Sequence, residues 1–236
     1  MTIYLSRLFL ENQQRTVRHD LGDSSQLHRT ILKAFGNAPV GVPARDHFGV
    51  LFRIETIPDT SNLTRLLVQS TVLPDWSHLP SGYLGQSPLS AANPSVRMLD
   101  HEYAAIQDGM VLIFRLRANP TKRISNRNPD RPDPLLGKRV ELLREDDQIA
   151  WLVRKGEQHG FQILATETSS DVPDVRVTQA EKAHGTRRNQ PRTTFGTVVF
   201  NGRLTVTHRE LFIQSLVDGI GSGKSFGFGL LSIAAG

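Results

Sequence analysis

The stretch Gly219-Ile-Gly-Ser-Gly-Lys-Ser-Phe-Gly-Phe-Gly229 places five glycines around a single lysine. A Walker A loop would need glycine at position 218, where Asp218 stands, and a dinucleotide-binding fingerprint would need glycine in place of Lys224. An apolar, strand-like segment follows the stretch, whereas both of those motifs lead into a helix. The pattern therefore predicts a loop between a helix and a last strand, and it argues against a fold that binds ATP or NAD.

Two interpretations of this glycine stretch remain open from the sequence. A backbone with few side chains can wrap closely around a phosphate, with its N–H groups as donors and Lys224 as the nearby cation. The same glycines can also form a helix C-cap followed by a tight turn, with no ligand at all. Composition does not separate these two interpretations.

The composition is that of a globular protein with a hydrophobic core. Of its 236 residues, 38% are hydrophobic and 22% are charged, which suits one large or two small domains. No segment approaches the ~20 apolar residues of a membrane helix, and the alternating residues 1–10 predict a strand rather than a signal peptide. The chain has no cysteine, which excludes disulfides, cysteine-ligated zinc and thiol catalysis. We therefore expect a cytoplasmic protein that does not bind a membrane.

Positive charge is concentrated in two regions. Residues 115–155 hold eleven Lys and Arg against six Asp and Glu, a net +5, and residues 176–192 hold five against one, a net +4. Because the whole chain carries only +5, the remainder is slightly acidic. Clustered cations indicate either a phosphate-rich partner or a solvated loop, and the pattern favours nucleic acid.

The first part of the chain predicts a strand, a helix and two strands. The strand covers residues 2–10, and the helix runs from Ser24 to Phe35 with Asp23 as its N-cap. Leu27, Ile31, Ala34 and Phe35 recur at helical spacing and predict the buried face. Alternating apolar residues predict the next two strands at 47–56 and 63–71. A segment rich in Pro, Gly and Ser then leads to a connector.

The second part repeats the plan, with an exposed hairpin or mobile loop at 175–192. Asn201-Gly202 is typical of a tight turn between strands 194–200 and 203–206, and Thr207 with Glu210 predicts the capping box of a following helix. The other predicted elements are a strand at 111–117, a helix at 145–159, a strand at 161–166, a helix ending at Val217 and a last strand at 226–234.

Strand–helix–strand–strand–helix–strand, found twice, predicts an α+β protein of two tandem ferredoxin-like domains, the βαββαβ plan that RRM domains also use. We expect an N-terminal domain at 1–92, a connector at 93–109 and a C-terminal domain at 110–236. Because this fold serves many functions, it does not decide the activity.

The first predicted helix carries a compact set of reactive side chains: Ser24, Ser25, His28, Arg29 and Lys33. His28 lies at the border of the apolar stripe, where a half-buried imidazole with an ordinary pKa of ~6.5 could exchange protons near neutral pH. Arg29 and Lys33 lie within ~40° of each other on the polar side, where they could neutralise a phosphate. The alternative interpretation is a packed histidine beside solvated cations.

No motif predicts a metal or cofactor site, so we expect none. Phosphodiester cleavage without a metal is open to RNA and closed to DNA, because the attacking group is the adjacent 2′-hydroxyl. In such a reaction a histidine moves protons, and cations stabilise the extra negative charge of the transition state.

Several motifs along almost the whole chain resemble one family, the CasE-type CRISPR RNA-processing endoribonucleases of the type I-E Cascade complex. The most specific are the glycine stretch and the block ending in Arg-Ala-Asn-Pro. The matching segments are Tyr4-Leu-Ser-Arg-Leu8, Gln26-Leu-His-Arg29, Leu73-Pro-Asp-Trp-Ser77, Phe114-Arg-Leu-Arg-Ala-Asn-Pro120, Gly137-Lys-Arg139, Gln148-Ile-Ala-Trp-Leu152, His159-Gly-Phe161 and the residues from Gly219 to Ser232.

This resemblance implies two ferredoxin-like domains, cleavage of repeat hairpins in a CRISPR precursor RNA, and retention of the product among the other Cascade subunits. The family's catalytic histidine falls on His28, and a lysine that some members use near the phosphate falls on Lys33. Members often carry a tyrosine where this chain has Ser25, so another group must take that role or turnover is slower. The family's basic hairpin corresponds to 176–192, with Arg187 and Arg188 as its candidates.

The primary hypothesis is a metal-independent endoribonuclease that leaves a 5′-hydroxyl and a 2′,3′-cyclic or 3′-phosphate. His28 would be the general acid or base, and Lys33 and Arg29 would stabilise the phosphate. A non-catalytic RNA-binding subunit is the alternative, and a metabolic enzyme that binds phosphate with the glycine stretch is a third. The residues expected to bind RNA are Lys122, Arg123, Lys138, Arg139, Lys224, Gly221 and Gly223.

Overall fold

The computed structural model describes residues 2–58, 60–125, 136–167, 171–186 and 192–236. Its first half contains an antiparallel four-stranded sheet in the order β2-β3-β1-β4. The strands are β1 (Tyr4–Glu11), β2 (Leu51–Thr56), β3 (Leu63–Ser70) and β4 (Ser95–Met98). The helices are α1 (Arg15–Gly22), α2 (Ser24–Leu32) and α3 (Ala44–His47), with a 3-10 turn at Trp76–His78.

The second half contains a larger sheet in the order β11-β5-β10-β8, with β9 also paired to β10. A separate two-stranded ribbon, β6-β7, extends from it. The strands are β5 (Val111–Ala118), β6 (Thr121–Arg123), β7 (Arg139–Glu141), β8 (Phe161–Ile163), β9 (Val175–Gly185), β10 (Thr193–Val206) and β11 (Leu231–Ala235). The helices are α4 (Asp100–Ala104), α5 (Glu145–Gln158) and α6 (Arg209–Asp218), with a 3-10 turn at Lys224–Phe226.

The two main sheets share one strand order, which confirms the predicted tandem ferredoxin-like fold. Numbered within its own repeat, each sheet places the first strand next to the fourth and the third strand next to the second. This is the arrangement of a βαββαβ unit. The described residues contain no helix with the length and apolar character that crossing a bilayer requires.

Each half has its own hydrophobic core. One buried cluster joins Leu27 and Ile31 of α2 to Phe52 of β2 and to Leu8 and Leu10 of β1. The other joins the apolar sides of β5, β10, α5 and α6. The predicted buried face of α2 is confirmed, because Leu27, Ile31, Ala34 and Phe35 are all buried.

The limits predicted for the domains stay a prediction, but the stretch expected as a connector has structure of its own. Within residues 93–109, β4 pairs with β1 and completes the N-terminal sheet. Leu99 and Tyr103 then pack into the C-terminal core. This stretch therefore contributes to both halves.

The predicted turn at Asn201-Gly202 is wrong, because these residues lie inside the continuous strand β10. Asn201 is opposite Arg115 of β5 on one side and Arg176 of β9 on the other. Pairing with two neighbouring strands outweighs the local turn propensity of Asn-Gly. The predicted cap Thr207 is also wrong: α6 begins after His208, whose side chain accepts a hydrogen bond from the Leu211 N–H.

Two strands start several residues later than predicted, for local reasons. The strand predicted from residue 47 starts at Leu51, because His47 ends α3 and Gly49 then turns the chain with φ 58°. The last strand starts at Leu231 instead of 226, because Gly227 and Gly229 adopt positive φ angles of 80° and 91° that break extended structure. α1 was not predicted, since Val17 is its only fully apolar buried residue.

The segment expected as an exposed hairpin or mobile loop contributes an ordered strand. β9 pairs along β10 with a register shift between Phe195 and Thr197. Arg187 and Arg188 lie outside the described residues.

Candidate active site and nucleic-acid interface

His28 lies on α2, with its ring against the first sheet. The Asp23 side chain caps the helix by accepting a hydrogen bond of 2.8 Å from the Ser25 N–H, which confirms the predicted N-cap. The imidazole stacks on the Phe52 ring of β2, with the ring centroids 6.1 Å apart and the planes 18° from parallel. His28 is half-buried, in agreement with its predicted position at the border of the apolar face.

The environment of His28 favours the neutral imidazole. Its Nε2 atom is buried and has no hydrogen-bond partner among the described residues. Burial, followed by the positive charge of Arg45, lowers the pKa of His28 from 6.5 to about 4. The ordinary pKa expected from the sequence is therefore wrong for the unliganded protein, and at neutral pH the ring is unprotonated.

The structure does not gather the other predicted catalytic side chains around this ring. Arg29 is exposed, and its Nε donates a 3.2 Å hydrogen bond to the Ser25 carbonyl on its own helix. Lys33 is exposed at the end of α2, about 140° around the helix from His28. Ser25 lies against β9, where its Oγ is 3.0 Å from the place that a Cβ on Gly185 would occupy.

Arg45 of α3 is the cation whose charge acts on His28. It lines a cleft of about 310 Å³, called here the small cleft, together with Asp218 at the end of α6 and Lys224 of the glycine stretch. Burial lowers the pKa of Arg45, while the negative charge of Asp218 opposes this shift. The sequence offered no signal for Arg45, because its approach to His28 depends on how α3 packs.

The glycine stretch folds back on itself between the two halves. Gly219 ends α6 with φ 77°, and a Cβ there would lie 2.8 Å from the Leu51 side chain of β2. Gly227 has φ 80°, and its Cβ would lie 2.9 Å from the Phe52 ring. The C-cap interpretation is therefore correct at Gly219. The glycines also allow the loop to approach the strand that supports His28.

Two buried arginines hold the backbone that follows Lys224. Arg53 of β2 donates a 3.0 Å hydrogen bond to the Leu230 carbonyl and is paired with Glu55 at 2.8 Å. Arg117 of β5 donates a 3.3 Å hydrogen bond to the Gly227 carbonyl. One arginine comes from each half of the molecule, so the glycine stretch is fixed to both.

A larger cleft of about 780 Å³, called here the basic cleft, lies beside the glycine stretch. Among the described residues that line it, the charged side chains are all basic. The cleft includes the predicted RNA-binding residues Lys122, Arg123, Arg139, Lys224 and Gly221. It also includes residues that were not predicted to bind RNA: Thr121, Trp151, Arg154, Lys155, His159, Gly219 and Ser222.

The sequence contains a pattern that could have identified some of the cleft residues that were not predicted to bind RNA. Trp151 and Lys155 lie four residues apart on one face of α5, and His159, four residues further on, directly follows the helix. Two predicted RNA-binding residues do not line the cleft. Lys138 is exposed just before β7, and Gly223 packs against Phe228, which lies 2.8 Å from the place of its Cβ.

Cations in and beside the basic cleft repel one another. Burial and then the charges of Arg154 and Arg139 lower the pKa of Lys155. Burial and then Arg45 lower the pKa of Lys224, with Asp218 opposing. Burial also lowers the pKa of His159, followed by the charges of Lys155 and Lys224. An anionic ligand would relieve this repulsion, so the arrangement suits a chain of phosphates.

The β9–β10 hairpin docks on the start of α2. The Thr186 N–H donates a 3.3 Å hydrogen bond to the Asp23 carboxylate, and Arg192 donates to the Gly22 carbonyl at 3.1 Å. Gly185 is required here, because its Cβ would lie 2.1 Å from the Phe226 ring. This hairpin therefore connects the C-terminal half to the helix that carries His28.

Comparisons with known proteins agree over the whole chain. A family model described as CRISPR associated protein matches residues 3–235. CRISPR-associated endoribonuclease Cse3 of Thermus thermophilus is 33% identical over 238 residues, covering 98% of this chain and 100% of that protein. The chain therefore belongs to the family described as CRISPR associated protein. CRISPR system Cascade subunit CasE of Escherichia coli is 32% identical over 214 residues, covering 90% of this chain and 92% of that protein.

A solved structure supports the same assignment. Thermus thermophilus Cse3, bound to an RNA representing a pre-cleavage complex, matches with a TM-score of 0.75 and 32% identity, covering 99% of this chain and 100% of that one. The predicted family and fold are therefore confirmed. The predicted enzyme class is the one that the Cse3 relative's name states. The third hypothesis, a phosphate-binding metabolic enzyme, has no support in these relatives.

Proposed function

We propose that this chain is a metal-independent endoribonuclease that cuts repeat hairpins in CRISPR precursor RNA. The observation that carries the proposal is the continuity of charge from His28 to the basic cleft. Arg45 acts on His28, and Arg45 and Lys224 together line the small cleft. Lys224 also lines the basic cleft. An RNA backbone lying along these cations would pass beside the imidazole.

The proposed reaction is a transesterification within the RNA. His28 accepts the proton of the 2′-hydroxyl, and the 2′-oxygen forms a bond to the adjacent phosphorus. The bond from phosphorus to the 5′-oxygen breaks, and that oxygen takes a proton from the imidazolium or from water. The products are a 2′,3′-cyclic phosphate and a 5′-hydroxyl. Proton transfer of this kind contributes about 10²–10⁴-fold to the rate.

The low pKa of His28 supports the role of base over that of acid in the free protein. At neutral pH a group with a pKa of about 4 is unprotonated and can accept a proton. A phosphate placed beside the ring favours the charged form and raises this pKa toward neutrality. Bound RNA would therefore bring the ring closer to the value at which a base works best.

The basic cleft is proposed to hold the RNA backbone. Its cations come from three separate elements: the β6-β7 ribbon, α5 and the glycine stretch. Cations spread in this way can contact several phosphates of one A-form stem, which proteins recognise mainly through its shape and backbone. The Trp151 indole also lines this cleft and is 4% exposed. Its burial supports a role in the cleft wall rather than in stacking on a base.

Cleavage of matched RNA hairpins tests the proposal. We expect the wild-type protein to cut its cognate repeat hairpin equally well with and without EDTA. A hairpin with one 2′-deoxy nucleotide at the cut site should bind with unchanged affinity and remain whole. Cleavage of the 2′-deoxy hairpin would contradict attack by the 2′-hydroxyl, and loss of activity in EDTA would contradict metal independence.

A second candidate function is a non-catalytic RNA-binding subunit of a Cascade complex. Two points favour it. The buried Nε2 of His28 has no hydrogen-bond partner in the described part of the chain, and Ser25 stands where the family resemblance implies a tyrosine. In either case we propose that the bound RNA is retained among other Cascade subunits, the assembly named for the Escherichia coli relative. Stable hairpin binding without any product after long incubation would favour this second function.

A further inference from the structure

We propose that Arg45 is a catalytic residue that contacts the phosphate at the cut site, the role that the sequence assigned to Lys33 and Arg29. This inference rests on the proposed function, and it adds a residue from a different element. Its grounds are the position of α3, the small cleft that Arg45 shares with Lys224, and the chemistry of a guanidinium.

Packing fixes the position of Arg45 in the fold. The Phe48 ring, which directly follows α3, stacks on Phe35 beyond the end of α2, with the centroids 5.3 Å apart. The Val50 N–H donates a 2.9 Å hydrogen bond to the Arg45 carbonyl, which ties α3 to the start of β2. The same strand carries Phe52, the ring on which His28 stacks. Arg45 and His28 are therefore both positioned by contacts with β2 and the residue before it.

The small cleft gives Arg45 a second cation for the same anion. Lys224 reaches the cleft from the glycine stretch, and its charge and that of Arg45 repel each other. The cleft volume of about 310 Å³ is at the lower end of the range for small-molecule sites, ~300–1,000 Å³. It therefore has room for one phosphodiester group with its neighbouring atoms.

In the free protein the Arg45 guanidinium interacts with carboxylates. Arg45 forms an ion pair with the neighbouring Asp46, and Asp218 acts on it across the cleft. A guanidinium offers parallel N–H donors that bind a phosphate through two oxygens, which an ammonium cannot match. A phosphate that displaces Asp46 would meet a donor already at the site.

Arg45 also accounts for what Lys33 and Arg29 do not provide. Both of those side chains are exposed, and neither shifts the pKa of His28, whereas Arg45 does. In the part of the chain that the structure describes, Arg45 is the one charge that acts on this imidazole. Because Arg45 acts on the His28 ring, it is also placed to act on a phosphate that lies beside that ring.

The test uses three variants of the full-length protein. Arg45→Gln removes the charge. Arg45→Lys keeps the charge but lacks the parallel N–H donors of the guanidinium. Arg97→Gln is the control. Arg97 lies on β4, at the opposite edge of the N-terminal sheet from β2, and is mostly exposed. Single-turnover cleavage of the cognate hairpin is measured across pH, affinity is measured with the 2′-deoxy hairpin, and circular dichroism checks folding.

We expect Arg45→Gln to cut about 10²–10³-fold more slowly, the usual loss when one donor to a transition state is removed. Its affinity should change only a few-fold, Arg45→Lys should recover part of the rate, and Arg97→Gln should match the wild type. Loss of the Arg45 charge also raises the pKa of His28, so the acidic limb of the rate profile should move to higher pH. A purely structural role would not move that limb.

Two results would overturn the inference. One is wild-type cleavage by Arg45→Gln, and the other is a fall in affinity that accounts for the whole loss of rate. His28→Ala in the same assay separates this inference from the proposed function. If His28→Ala is inactive while Arg45→Gln is normal, only the role of Arg45 fails. If His28→Ala cuts normally, His28 is not the proton acceptor, and if the wild type does not cut the hairpin at all, the proposed function itself fails.

Discussion

The small cleft and the basic cleft differ in size, in charge and in the elements that build them. The small cleft, about 310 Å³, has Asp46 and Asp218 beside its cations. The basic cleft, about 780 Å³, is wider, and its described lining has no carboxylate. Five of the eight described residues that line the small cleft come from the N-terminal half, whereas the described lining of the basic cleft comes from the C-terminal half.

This difference indicates that the basic cleft suits RNA binding and that the small cleft suits the chemical step. A wide surface of cations suits binding, because each phosphate contact adds affinity with little demand on geometry. A narrow cleft whose Arg45 charge acts on a half-buried imidazole suits chemistry, which depends on position. The glycine stretch touches both clefts through Lys224. Substitutions around the small cleft should therefore change the rate of cleavage, whereas substitutions in the basic cleft should change the affinity for RNA.

The largest expected effect is on the rate of cleavage. We expect His28→Ala to cut at least about 10²-fold more slowly, because it removes the proposed proton acceptor. Affinity for the 2′-deoxy hairpin should stay within a few-fold of the wild type, since the basic cleft is untouched. Single-turnover kinetics and filter binding measure the two quantities, and a parallel loss of both would remove the distinction between the clefts.

The next effect is on stability at low pH. The folded-state pKa of His28, about 4, lies below the value of 6.5 expected when the chain is unfolded. As the pH falls, the unfolded chain takes up this proton first, so stability is lost between about pH 6.5 and 4. For this one group the loss amounts to about 3 kcal/mol. Urea unfolding of the wild type and His28→Gln should show a smaller loss over this range in the variant, and equal losses would contradict the burial of the ring.

A substitution in the glycine stretch should affect both clefts together. Gly227→Ala places a Cβ at φ 80° against Phe52, at a cost of roughly 1–2 kcal/mol from the backbone conformation alone. Gly109→Ala is the matched control, because Gly109 also has φ 80° but has open space around its Cβ position. Thermal unfolding should show the backbone strain in both variants and a further loss in Gly227→Ala from the contact with Phe52, whereas cleavage and affinity should fall only in Gly227→Ala. Unchanged cleavage by Gly227→Ala would mean that this loop does not link the clefts.

The smallest effect is on the salt dependence of binding. Lys155→Ala should weaken binding of the 2′-deoxy hairpin at low salt and reduce the slope of log affinity against log salt by about 1, as expected for one lost phosphate contact. The cleavage rate at saturating protein should not change. An unchanged slope would place Lys155 outside the RNA path.

Local patterns in the sequence predicted much of the fold. Asp23 as N-cap and the spacing of Leu27 and Ile31 specified α2, and the strand predicted at 111–117 corresponds to β5. Asn201-Gly202 misled, because its turn propensity was outweighed by pairing on both sides of β10. The location of β4 was missed, since a short strand with three exposed residues has no clear pattern.

The candidate site was less predictable, because it depends on contacts between distant segments. His28 and four of the basic-cleft cations were identified from their own segments and from family resemblance. Arg45 was missed, since its relation to His28 arises only when Phe48 packs on Phe35. The environment of the ring was also missed, because its stacking on Phe52 and the burial of Nε2 without a partner among the described residues are tertiary features.

The most direct test of the account is the titration of the His28 imidazole by NMR, in the free protein and with the 2′-deoxy hairpin bound. We predict a pKa well below 6 in the free protein, because burial and Arg45 disfavour the charged ring. Binding of the RNA should raise that value, because a phosphate then lies beside the imidazole. A pKa that is the same in both states would contradict the claim that His28 faces the bound phosphate.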